Sequence, residues 1–381
     1  MKRTRVIRVA QILDSVRQTG RNLVVCIDNV QNEIGQRTRN IGQLHSQLVK
    51  DKTQLTYYNS GIGTYGMPSK WTLDHWIRHI DGTMDFGIAW DFERIVKEAY
   101  RWLAEHYQDG DVIYCFGYSR GACLVLTLAA MIDKVGLVHK GNEELLAYVY
   151  ALYIDSRSHT PTKGSESMAQ QFKQTYSRNV RVHFVGVWDA LVQVGLYKHK
   201  ASPGTNNPYI SCYFRHALAL DERRVIFLPL YACFGESGSE RRAKANGSDS
   251  PPTSLHDLKV AAQTAEYENL QTRSEDKGNP ASPRIKEVWF SGTHHDIGGG
   301  NVENGKFNFR HPSFLWMSYE ATSMRLKLNG SDMEWRWCEL GDIRESLTGL
   351  WKLLEYLPIR RLTYNDNHSI TYRPHWGRVE P

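Results

Sequence analysis

Apolar residues in this chain gather into short continuous runs separated by stretches of helical periodicity. "NLVVCID" (22–28), "DVIYCFG" (111–117) and "VRVHFVGVWD" (180–189) read as strands buried on both faces, and "IKEVWFSGTHHD" (285–296) reads as a fourth β-rich run. Between the first two, Phe92, Ile95, Val96, Ala99, Trp102, Leu103 and His106 recur at helical spacing, and Gly110 supplies a stop. "SFLWMSYEATSMRLKL", after residue 312, also reads as helix. Strands alternating with helices predict an α/β fold with a mostly parallel sheet flanked by helices.

Polar insertions interrupt this pattern. "YKHKASPGTNNPY" (197–209) and the Gly-, Ser- and Pro-rich "ESGSERRAKANGSDSPPTS" (236–254) read as surface loops, the second opening a mobile insertion over about 236–283. The organisation expected is a basic N-terminal segment (1–21), a catalytic domain (22–325) and a C-terminal extension (326–381). That extension reads as irregular and packed on the same domain through its aromatics.

Charge changes the picture in one place. Lys2, Arg3, Arg5, Arg8, Arg17 and Arg21 stand against Asp14, so five of the six net positive charges lie in the first 21 residues. The nearly neutral remainder argues against a nucleic-acid face, whereas Val6, Ile7, Val9, Ile12 and Leu13 among those charges allow peripheral contact with an acidic membrane. No signal-peptide core and no apolar run of about 18 residues is present, so a cytoplasmic location is expected. The six cysteines (26, 115, 123, 212, 233 and 338) form no CxxC pair and read as buried free thiols.

Candidate chemistry sits where strands end. Gly117-Tyr118-Ser119-Arg120-Gly121 fits G-x-S-x-G between a strand and a helix, the context that forces a serine onto a sharp turn with its Oγ presented. The Arg120 N–H, at the start of that helix, is a natural oxyanion donor. Asp189 closes one later strand, and a carboxylate there needs a partner such as an imidazole N–H. His294 and His295 follow another, in a segment where Gly292, Gly298, Gly299 and Gly300 allow a loop to fold over the serine. Spacing alone leaves either histidine as the base, and neighbours in an extended segment point opposite ways. The chain order serine, acid, histidine is that of α/β-hydrolases. A metal site at His294, His295, Asp296 and Asp28 is the weaker reading, because no HxH or HExxH spacing occurs; no cofactor is expected.

Seven segments together carry a family resemblance: "DNVQN" (28–32), "GIGT" (61–64), "AYRWLAEHYQDGD" (99–111), "GYSRGA" (117–122), "GVWDAL" (186–191), "HALALDERR" (216–224) and "WFSGTHHDIGGG" (289–300). With them the chain, over about residues 21–325, resembles the α/β-hydrolase-like domain family that includes phospholipase effectors of bacterial type VI secretion and many fungal proteins. The short tail with "EYLPIRR" is closer to the fungal members.

The resemblance implies a serine hydrolase of carboxylic esters, a lipase or phospholipase acting on a lipid or other acyl ester. It makes Ser119 the nucleophile, Asp189 the orienting acid and His294 the base. His295 falls where the family often has serine, and Asp296 matches an aspartate suited to a loop hydrogen bond or an alternative acid. The family's D-G-T loop, implied to help form the oxyanion hole, is here Asp28-Asn29-Val30. Losing that glycine and hydroxyl opens an alternative, a hydrolase fold kept as a binding module.

Overall fold

The computed structural model describes residues 20–28, 39–61, 83–155, 168–191, 208–224, 227, 229–232, 283–299, 312–329, 345–348, 352, 359–364 and 370–375. Residues 1–19 of the basic segment, Asn29, Val30, the 197–207 loop, nearly all of the 236–283 insertion and most of the C-terminal extension lie outside them.

Six strands form one sheet: β1 (Asn22–Ile27), β2 (Gln54–Asn59), β3 (Val112–Tyr118), β6 (Val182–Trp188), β7 (Ser211–Ala219) and β8 (Ile285–Phe290). Their order is β2-β1-β3-β6-β7-β8 and every pairing is parallel. A two-stranded antiparallel pair, β4 (Leu137–Val138) with β5 (Ser177–Arg178), lies apart from it.

The two-residue period of a strand divides the core. Leu23, Val25 and Ile27 of β1, with Ile113 and Cys115 of β3, face one side. There they pack with apolar residues of α2 (Thr83–His106), α3 (Arg120–Val135), α4 (Leu146–Asp155) and α5 (Met168–Tyr176). Val24, Cys26, Tyr114, Phe116 and Tyr118 face the other side, under α1 (Asn40–Gln47) and α7 (Pro312–Ser323). Covering both faces is what a parallel sheet requires, and it explains why β1 and β3 read as unbroken apolar runs.

Three sequence expectations need correction. The segment after the last strand, read as a glycine-rich loop, is in part a helix: β8 ends at Phe290, and a short helix, α6 (His294–Gly298), begins at the histidines. The tail read as irregular contains an antiparallel ribbon, β9 (Ile359–Tyr364) with β10 (Ile370–His375). Cys26 and Cys115 are buried free thiols, but Cys123 and Cys212 are only half-buried. No described helix is long and apolar enough to cross a membrane.

Candidate active site

In a parallel sheet all strands point their carboxyl ends to the same edge, where open α/β sheets bind ligands. Ser119 follows β3 and Asp189 follows β6, so neighbouring strands deliver them side by side. Each is pinned past the end of its strand: the Ser119 N–H donates to Trp188 O (3.0 Å) and the Asp189 N–H to Ala217 O (2.7 Å).

The Ser119 turn is tight for an identifiable reason. Its backbone sits at φ 57°, ψ −119°, a region that L residues avoid. A Cβ at Gly117 would lie 2.5 Å from Gly121 O, and one at Gly121 would lie 2.3 Å from Ile27 O, so the turn closes only with glycine at both flanks. Asp189 is also left-handed, at φ 40°. Of the three non-glycine residues in this region among those described, two are therefore the candidate nucleophile and acid. Strain concentrated in this way accompanies functional sites.

His294 joins them. Its Nδ1 lies 2.6 Å from Asp189 Oδ2 and its Nε2 lies 2.9 Å from Ser119 Oγ. An ionised carboxylate only accepts, so the imidazole hydrogen sits on Nδ1 and the Nε2 lone pair faces the serine hydroxyl. All three side chains are buried, and Asp189 Oδ1 accepts a second bond, from the Ala219 N–H (3.1 Å). The row can take a proton from Ser119 and stabilise the imidazolium that results.

Several residues that sequence reasoning missed hold His294 in place. Glu222, after β7, accepts the His294 backbone N–H (3.1 Å) and is gripped by Arg224 through two side-chain bonds of 2.8 and 2.7 Å. Arg224 in turn lies 3.9 Å above the Phe227 ring, and Phe227 packs on the His294 ring at 5.0 Å. The Tyr118 ring stacks on His294 at 4.8 Å and 28°, and its hydroxyl donates to the His294 carbonyl (3.1 Å). Asp221 ties the approach loop down by accepting the Gly292 N–H (2.6 Å). The signal lay in "HALALDERR", whose charged residues follow a strand end, but their target is some 70 residues away.

The other sequence candidates fall around this row. Thr293 donates from both its N–H (2.9 Å) and its hydroxyl (2.8 Å) to Asp296 Oδ2, so Asp296 builds the start of α6 while Asp189 meets the imidazole. Asp28 is buried beside the turn, with its backbone against Gly121; it accepts from the Tyr58 hydroxyl (3.1 Å) and pairs with Arg39 at 3.8 Å. Arg120 opens α3 directly after Ser119, and burial, then the Arg39 cation, push its guanidinium down to about 10.

His295 lies beside the row, its Nδ1 3.4 Å from the Tyr118 hydroxyl. The two histidines are neighbours on a helix and not on the extended segment expected, yet only His294 reaches Ser119. Burial first, then electrostatic interaction with its neighbours His294, Arg224 and Arg39, holds His295 down to about 3. In the unfolded chain a histidine titrates near ~6.5, so between about 3 and ~6.5 the unfolded state binds the extra proton. The contribution of neutral His295 to stability is therefore complete above pH ~6.5 and declines as pH falls. Urea midpoints for wild type should drop from pH 7 to pH 5, and His295→Gln should flatten the slope by up to ~1 kcal/mol per pH unit. Equal slopes would contradict this account.

The sheet order and the strand-to-helix turn at Ser119 define an α/β-hydrolase-like protein. The chain belongs to the family described as "T6SS, Phospholipase effector Tle1-like, catalytic domain", whose sequence model matches residues 21–320. It is 33% identical over 227 residues to the uncharacterized protein YEL023C of Saccharomyces cerevisiae, a match covering 57% of this chain and 33% of the yeast protein. Among solved structures, it is similar to the Tle1 effector bound to the VgrG spike of the type 6 secretion system (16% identity, TM-score 0.34, 75% of this chain and 52% of that one). It is also similar to an uncharacterized protein from Pseudomonas aeruginosa (12% identity, TM-score 0.38, 84% and 48%).

Proposed function

We propose that this chain is a serine hydrolase that cleaves the carboxylic esters of lipids through Ser119, His294 and Asp189. The observation that supports it is the buried row in which His294 Nε2 stands 2.9 Å from Ser119 Oγ and Nδ1 stands 2.6 Å from Asp189. As Ser119 Oγ attacks the acyl carbon, His294 takes its proton and Asp189 stabilises the imidazolium. The oxyanion is met by the Arg120 N–H at the start of α3. His294 then gives the proton to the leaving alcohol, and the acyl group remains on Ser119. Water, deprotonated by His294, attacks that ester, the tetrahedral intermediate collapses, and the fatty acid leaves as the proton returns to Ser119.

Membership in a phospholipase effector family supports a lipid substrate. The test is incubation with phospholipid vesicles, followed by quantification of products. Fatty acid and lysophospholipid should appear in equal amounts, without release of phosphate or head group, and a fluorophosphonate should label Ser119. Folded protein that neither takes the label nor releases fatty acid would instead support the binding-module reading, which rests on Asn29 and Val30 replacing the family's glycine and threonine.

A further inference from the structure

A second histidine–carboxylate couple lies directly behind the first. His216, on β7, is fully buried, and its Nε2 lies 3.1 Å from the backbone N–H of Ala190, the residue after Asp189. Its Nδ1 lies 2.9 Å from Glu287 Oε1, on the adjoining strand β8. A backbone amide can only donate, so Nε2 must present its lone pair and the ring hydrogen must sit on Nδ1, donating to Glu287. The same Glu287 oxygen accepts the Ala232 N–H at 2.8 Å, which fixes the carboxylate.

What this couple grips is the peptide that follows a strained residue. Asp189 stands at φ 40°, a pose that an aspartate keeps only if its surroundings over-determine it. Its own N–H is held by Ala217 O, and the next residue is held on both sides: Ala190 N–H on His216, and Ala190 O by the Leu230 N–H at 2.7 Å. Without an acceptor at His216, the buried Ala190 N–H would lose its partner and the turn could relax toward ordinary backbone. The Asp189 carboxylate would then leave the 2.6 Å bond to His294.

We infer that His216, held in one tautomer by Glu287, is a positioning residue that locks the Asp189 turn and so aims the acid at His294. The inference rests on the serine-hydrolase reading only for its effect on rate; its geometric part stands apart from turnover.

The experiment uses the full chain. Wild type should show His216 neutral and protonated on Nδ1 by imidazole nitrogen NMR, together with a downfield proton from the short His294–Asp189 bond. His216→Phe keeps the ring volume but removes the acceptor; it should lose or shift that proton and slow fluorophosphonate labelling ~10- to 100-fold, because small misplacements of reacting groups are costly. His216→Gln, whose side-chain oxygen can replace Nε2, should recover most of both signals, which a purely space-filling role would not give. If His216→Phe does not fold, Glu287→Leu, which frees the ring to place its hydrogen on Nε2, should move the downfield proton in the same direction. Hydrogen on Nε2 in wild type overturns the proposal, as does a folded His216→Phe or Glu287→Leu variant with the wild-type downfield proton and labelling rate. A wild type that takes no label defeats the hydrolase reading instead, and the downfield proton still decides the positioning role.

Discussion

Ser119→Ala should lower kcat on phospholipid or p-nitrophenyl esters by about 100,000-fold while leaving KM near wild type, and should abolish fluorophosphonate labelling. Serine hydrolases of this design lose on the order of a million-fold when the nucleophile is removed, because the base and acid then have nothing to activate. In energy the expected loss is ~7 kcal/mol of transition-state stabilisation. Ser119 is 2% exposed, and truncating it leaves the backbone bonds of the turn intact, so the fold should survive. Unchanged thermal unfolding beside lost turnover would assign the effect to chemistry. Ester hydrolysis that persists in Ser119→Ala within tenfold of wild type would mean that another group carries the reaction.

The parts of this site differed in how far sequence disclosed them, and the differences have physical causes. Ser119 was legible because its constraint is local: a strand, two glycines and a helix within about 20 residues. Asp189 was legible because a carboxylate closing an apolar strand is costly without a partner. The choice of His294 over His295 came from the family resemblance and not from spacing, since the extended segment that spacing assumed is the first turn of α6. The cue to that helix was present in Thr293 and Asp296, three residues apart in the pattern of a capped start.

Elements held by distant partners stayed hidden. β7 carries Arg215 and His216, both wholly buried, and polar residues inside a strand read as a break. Their partners, Glu320 at 2.6 Å and Glu287 at 2.9 Å, lie 105 and 71 residues further along the chain. β2 escaped for the opposite reason: "QLTYYN" is an edge strand, half-buried along most of its length, and lacks the continuous apolar run of the central strands.

The glycines of the turn are opposed by backbone atoms that a side chain would strike, and this leads to the second large effect. Gly121→Ala should destabilise the protein by ~3 kcal/mol or more, with a fall in melting temperature of roughly 4 °C or more, since overpacking costs ~1–3 kcal/mol even where neighbours are side chains. Here the added Cβ would lie 2.3 Å from Ile27 O, 2.6 Å from Asp28 O and 2.9 Å from Asp28 C. All are backbone atoms at the end of a central strand, so no rotamer change can relieve the contact. Either β1 or the start of α3 must move, and moving α3 carries Ser119 away from His294. Activity should therefore fall further than the folded fraction explains. Gly110→Ala is the contrasting control: its φ of +93° disfavours a side chain, as the helical backbone of Gly121 does not, but nothing lies within 4 Å of its Cβ, so it should cost only ~1–2 kcal/mol and leave turnover of the folded protein unchanged. Equal unfolding temperatures for the two variants would show that the close approach of β1 and α3 is not what reserves position 121 for glycine.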